Sequence, residues 1–246
     1  MSSQQEYIEP LAMGDSKPSS YTGRTVGLDR MSEPCYQIAV VPSQHNPNAV
    51  HTDDEDIRDI LQNPPNVRRT GFGFIGVKRI EPSLQGIKGI DAWGYEVVLL
   101  RNGLLELQSP LSRIQFQWYK AESGIPSHLN WLYPYGVCEY PVTFMRLVKE
   151  IYQTAGINTQ VHVQQAYHNL SGFLLVGRHP LNPLFGTVKH ERNVYMSTAP
   201  IVSKQTVNPD FIPDQVAYSL VEGVYAAFGL GKDLIPLFDA NQNFTP

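Results

Sequence analysis

A chain of 246 residues with a formal net charge of −4 is long enough to bury a core without disulfides or metals. Its acidity opposes a broad, sequence-independent nucleic-acid surface. Two cysteines, Cys35 and Cys138, make neither a disulfide framework nor a C-x-x-C zinc pair and point to a reducing, cytoplasmic setting, while the lack of any run of eighteen apolar residues argues against a membrane span.

Residues 1–33 are rich in Ser, Gln, Gly, Asp and Pro without a sustained period, and read as a tail or linker. They have no basic and apolar regions of a secretory signal. Residues 34–246 read as one α+β domain. "CYQIAVVP" (35–42) is an apolar strand. In "TDDEDIRDILQNPP", Thr52 and Glu55 have the spacing of a capping box, with Asp53, Asp54 and Asp56 at the positive end of the helix dipole. Ile57, Ile60 and Leu61 supply the buried stripe, and Pro64 and Pro65 end the helix.

"VRRTGFGFIGVKRI" reads as a strand and "EPSLQGIKGIDA" as a glycine-rich loop. "WGYEVVLLRNGLLELQSP" predicts a hairpin turning at Asn102-Gly103 through a two-residue type I′ turn. That register sets Leu100 against Leu105 and Val98 against Leu107 on a buried face. Arg101, Leu104, Glu106 and Gln108 then share a wetter face. Ile114, Phe116 and Trp118 alternate in a following strand.

"YPVTFMRLVKEIYQTAG" predicts a helix with Pro141 at its first position, Gly156 as its stop, and Phe144, Leu147, Val148, Ile151 and Ala155 as its stripe. "INTQVHVQQAY" and "SGFLLVG" are strands on either side of the turn "HNLSG", and "NVYMSTAP" is a further strand. The last helix starts near Pro213, buries Val216, Leu220, Val224 and Phe228, and stops at Gly229. Strands and hairpins punctuated by three helices, without regular alternation, give an α+β fold: largely antiparallel sheets with three main helices packed on them.

Chemistry-bearing motifs are weak. Gly71, Gly73 and Gly76 match G-x-G-x-x-G, but no helix can open on them in "VKRIEPSLQGIKG", and no acidic residue ends a second strand about twenty residues on. Packing or a bulge explains these glycines, and added ATP or NAD is expected to leave thermal stability unchanged. Asp53 to Asp56 beside His51 could be drawn as a metal site, yet consecutive helical residues diverge, so no metal is assigned. The seven histidines, His45, His51, His128, His162, His168, His179 and His190, include no H-E-x-x-H or H-x-H pair. His162 shares a strand face with Gln160 and Gln164, a polar face. Cys138 reads as a buried small apolar residue rather than a nucleophile. "DANQNF" (239–244) begins like a calcium loop but has Phe244 where the glycine should be. No catalytic residue and no cofactor is assigned. The best concentration of positive charge is Arg68, Arg69, Lys78 and Arg79, which reads as an edge guard or as a contact for phosphate or a partner.

The succession "RRTGFGF", "GYEVVLLRNGLLELQS", "FMRLVKEIYQTAG" and "GVYAAFGLGKDLIPLF" resembles the region that follows the AlbA-type (Schlafen-like) domain in bacterial regulators. The resemblance covers residues 30 to 240. Residues 1–33 are too few to hold the AlbA-type domain itself, so no functional residue carries over. It implies a non-catalytic accessory module, a sensor or subunit of a regulatory or antiviral-defence assembly, with a protein partner or self-association. A nucleic-acid binder using the basic strand edge is the second reading, and an unrecognised hydrolase the third.

Overall fold

The computed structural model describes residues 33–44, 46–65, 67, 77, 79–83, 85–90, 95–113, 130–176 and 192–245. Arg68, Arg69, Lys78, the three glycines Gly71, Gly73 and Gly76, and the alternating Ile114, Phe116 and Trp118 lie outside them.

β1 (Cys35–Pro42) is buried along its whole length, as a segment that is apolar apart from Gln37 favours. It is the third strand of a seven-stranded antiparallel sheet. With β2 (Arg79–Ser83), β3 (Gly86–Ile90), β4 (Glu96–Leu100), β5 (Leu105–Pro110), β7 (Val161–His168) and β10 (Ile201–Val207), the order is β10-β7-β1-β5-β4-β3-β2. A second sheet has β8 (Phe173–Val176) between β6 (Asn130–Leu132), parallel to it, and β9 (Arg192–Val194), antiparallel.

Among the described residues the α-helices are α1 (Glu55–Gln62), α2 (Pro134–Thr154) and α3 (Pro213–Ala227). α2 and α3 pack on one face of the large sheet. There Tyr36 meets Tyr140 edge-on at 5.7 Å and Tyr167 at 4.9 Å. Ile38, Val40, Val97, Leu99, Leu105, Leu107 and Val163 join the stripes of both helices in one core. α3 sits close on β10: a Cβ at Gly223 would collide with Ser203 Oγ. Three sheet side chains donate to its carbonyls, Gln205 to Val216 at 3.0 Å, Gln165 to Leu220 at 3.3 Å and Ser203 to Leu220 at 3.5 Å. The fold is α+β with a mainly antiparallel sheet.

Several local expectations change. The cap of α1 is Asp54, whose side chain accepts the Asp56 N–H at 2.9 Å. Thr52 is buried two residues earlier, so there is no capping box; a turn from His51 to Asp54 brings the equally good aspartate cap to the helix start. α2 begins seven residues before Pro141, with Pro134 in the first turn and Pro141 inside the helix. An interior proline loses one backbone bond and costs about 3 kcal/mol; burial of Val137, Cys138, Tyr140 and Val142 around it offsets that. Gly156 (φ 68°) and Gly229 (φ 70°) stop α2 and α3 where the sequence placed them.

The segment read as a glycine-rich loop is a hairpin, β2 paired with β3 from Arg79↔Ile90 to Ser83↔Gly86. The β4–β5 hairpin has a three-residue loop, not a type I′ turn, and its register is Leu99↔Leu105 and Val97↔Leu107. Asn102 keeps negative φ; its Oδ1 accepts the Leu104 N–H at 3.0 Å, and Gly103 alone takes φ 87°. Val97, Leu99, Leu105 and Leu107 therefore face the helices, while Val98, Leu100 and Leu104 form a second apolar cluster with Val41 on the other face. That face is not wet: Leu104, Glu106 and Gln108 are all buried. β7 and β8 flank the expected turn but enter different sheets. β10 is a strand the hydrophobic pattern did not single out.

Candidate functional site: a buried polar array on the large sheet

The registers fix which residues stand beside one another on the face turned away from α2 and α3. One row across the sheet runs Val202, Ala166, Gln37, Gln108, Glu96. The next runs Lys204, Gln164, Ala39, Glu106, Val98, Lys88. At the end of β1, Cys35 lies opposite His168. Alternation makes this face from the odd residues of β1 and the even residues of β5 and β7. It is rich in amides: Gln37, Gln108 and Gln164.

These polar groups are removed from water. Gln37 is 3%, Gln164 2%, Glu106 1% and His168 7% exposed. Gln37 Nε2 donates to Glu106 Oε1 at 3.0 Å, and Glu106 and Gln108 have further partners. Other polar atoms have none. Gln37 Oε1, both Oε1 and Nε2 of Gln164, and His168 Nε2 are buried without a hydrogen bond. Gln164 and His168 are the two diagonal neighbours of Gln37 on β7, so the four atoms come from one contiguous patch.

Burial lowers the pKa of His168 from its ordinary 6.5 and favours the neutral ring. Burial raises Cys35 to about 11, with the Gln108 side chain partly opposing. On the helix face, burial drives Cys138 well above 9.0, and the Glu139 carboxylate adds to it. Both thiols are free and buried. At neutral pH they stay protonated, so neither is an activated nucleophile. Among the described residues no three His, Cys, Asp or Glu side chains gather as a metal-ligand set.

Of the four basic residues singled out in the sequence, only Arg79 is described. It lies on β2, an edge strand, 77% exposed, and pairs with Glu81 at 2.9 Å. Lys88 pairs with Glu96 at 2.9 Å. Arg79 and Lys88 are thus each compensated by a neighbouring carboxylate. Pro82, with no N–H to offer, also marks this edge. His162 is half-exposed and contacts Thr206 Oγ1 at 2.9 Å, as a polar-face residue should; its neighbour Gln164 is not wet. The Asp239 carboxylate accepts the backbone N–H groups of Asn243 at 2.9 Å and Asn241 at 2.8 Å. These bonds hold its pKa down and make "DANQNF" a self-closed loop.

The sequence reading missed Gln37, Gln164 and His168 as a set. The available signal was a glutamine inside an otherwise apolar β1 and a second strand, "VHVQQAYH", dense in amides and histidines. Compared with protein-family models, curated proteins and solved structures, the chain matches none of them. No helix among the described residues is long and apolar enough to cross a membrane.

Proposed function

We propose that this chain is a non-catalytic binding module whose ligand-reading surface is the polar array on β7, β1 and β5. One observation carries the reading: Gln37, Gln164 and His168 together hold four buried polar atoms that lack a partner. Leaving a buried donor or acceptor unsatisfied costs about 1–3 kcal/mol, and native proteins rarely tolerate several in one place. A ligand that supplied those bonds would recover that free energy as affinity. The protonated thiols favour binding over nucleophilic catalysis. A role as sensor or subunit in a bacterial regulatory or antiviral assembly, in the cytoplasm and with a protein partner or a second copy, extends this proposal on the strength of the resemblance and the composition.

Hydrogen–deuterium exchange on the full chain, with and without the small-molecule fraction of a cell extract, tests the reading. The expected result is added protection in β1, β5 and β7, with the bound compound recovered chemically unchanged. Protection confined to other elements, or recovery of a converted product, refutes it.

A further inference from the structure

The chemistry of the unpartnered atoms narrows the ligand. Gln37 Oε1 and Gln164 Oε1 accept; Gln164 Nε2 donates; neutral His168 Nε2 donates or accepts according to tautomer. None of these groups carries charge once the histidine is neutral, as its burial favours. The nearest charged residues on the same face are Lys204, opposite Gln164 on β10, and Glu106, across Ala39 on β5. They flank Gln164 and Ala39 in one row, have opposite signs, and each already has a partner. Glu106 is also tied into the patch through Gln37. Transfer of a phosphate or carboxylate from water into this enclosed array would be costly without a committed counter-charge. Burial of all three residues to under a tenth of their surface favours a small enclosed molecule. An extended macromolecular partner needs roughly 800 Å² of open surface on each side.

The geometry points to a small uncharged ligand with an amide-type edge, a donor beside an acceptor in one plane, held on the sheet face that spans β1 and β7 by Gln37, Gln164 and His168. A carboxamide side chain pairs with such an edge through two parallel hydrogen bonds, as glutamine does with adenine. Nucleobases and primary carboxamides share that edge. This inference rests on the binding-module reading and adds the ligand class to it.

The experiment uses the full chain with adenosine, uridine and nicotinamide as neutral probes and inorganic phosphate as the charged comparator, read by calorimetry and by melting temperature. At least one neutral probe is expected to bind saturably and raise the melting temperature. Gln164→Met and Gln37→Met should each weaken it about tenfold, with unchanged circular dichroism, and phosphate should have no effect. Binding of the nucleosides or of nicotinamide tells which source of the edge is read. Saturable phosphate binding lost in Gln164→Met would keep the face as the site but overturn the neutral class. A neutral probe whose affinity neither variant alters would overturn the face itself. Failure of all three neutral probes would overturn the inference and show that water or nothing occupies the patch; the exchange pattern with cell extract then judges the broader reading separately. Should a variant not fold, probe-dependent exchange protection in β1 and β7 of the wild type replaces it: its presence supports the proposal and its absence overturns it.

Discussion

Tyr152 and Tyr225 are both buried phenols in the same core, yet their hydroxyls are placed differently. Tyr152 donates to the Gly103 carbonyl at 2.7 Å and pins the β4–β5 hairpin tip to the end of α2. Tyr225 has no partner for its hydroxyl. Tyr152→Phe should therefore destabilise by about 1–2 kcal/mol, because it also orphans a carbonyl. Tyr225→Phe should be neutral or stabilising, since it removes an uncompensated buried group. Chemical denaturation of the two variants makes the comparison; a loss above about 1 kcal/mol for Tyr225→Phe would mean that the hydroxyl has a buried water.

His168 gives a second prediction at this scale. Its pKa is lowered in the fold by burial, so between that value and 6.5 the unfolded chain binds the proton and the native chain does not. Stability is then complete above about pH 6.5 and falls as the pH drops below it, by up to about 1.4 kcal/mol per pH unit for one such group. His162, also lowered by burial, adds to the same slope. His168→Gln should flatten the dependence of unfolding free energy on pH between 6.5 and 5; an unaltered slope would assign it entirely to other groups.

At the level of elements, the hairpin loop and the α3 start show how neighbours override local preference. Gly103 sits at φ 87°, and a Cβ there would lie 2.8 Å from Pro42 Cγ and 3.2 Å from Ile157 Cδ1. Gly103→Ala should thus cost about 1–3 kcal/mol, from both the left-handed backbone and the contact with β1. The measurement is the urea midpoint; an unchanged value would contradict the three-residue loop. Arg146 on α2 holds Asp214 on α3 through two bonds, at 2.9 and 2.8 Å, and Asp214 also accepts the Phe244 N–H at 3.0 Å. The Phe244 ring lies beneath the Arg146 guanidinium, 5.9 Å from its centre, and edge-on to Phe238. One carboxylate thus joins two helices to the segment that follows them. Asp214→Asn should cost about 1.5–3 kcal/mol and speed amide exchange first at Thr245, Phe244 and their neighbours; loss of stability without faster exchange there would separate the ion pair from the docking of that segment.

For the whole molecule, the order of the large sheet leaves two edges, β2 and β10. β2 carries Arg79, Glu81 and Pro82, all devices that discourage edge pairing. Arg79→Val combined with Pro82→Val should leave unfolding free energy within about 0.5 kcal/mol, because the Arg79–Glu81 pair is exposed, but should increase light scattering on standing. A double variant as soluble as the wild type would deny β2 a guarding role.

Much of this architecture could be read from residue order. The α+β class, β1, the stripe of α2, both glycine stops and the last helix follow from hydrophobic period and backbone chemistry, which act within a few residues and so are written locally. Tertiary structure decided the rest. Pro141 ended up inside α2 because surrounding burial outweighs a lost backbone bond, and the hairpin moved by one register step because Asn102 accepts the Leu104 N–H and Gly103 fits against Pro42 and Tyr152. The candidate site belongs to the same class. Alternation could place Gln164 and Glu106 on a polar face, but whether that face meets water depends on strand order and on what covers the sheet. Gln37 lies 127 residues from Gln164 and 131 from His168 in the chain, and only the pairing of β1 with β7 makes them neighbours.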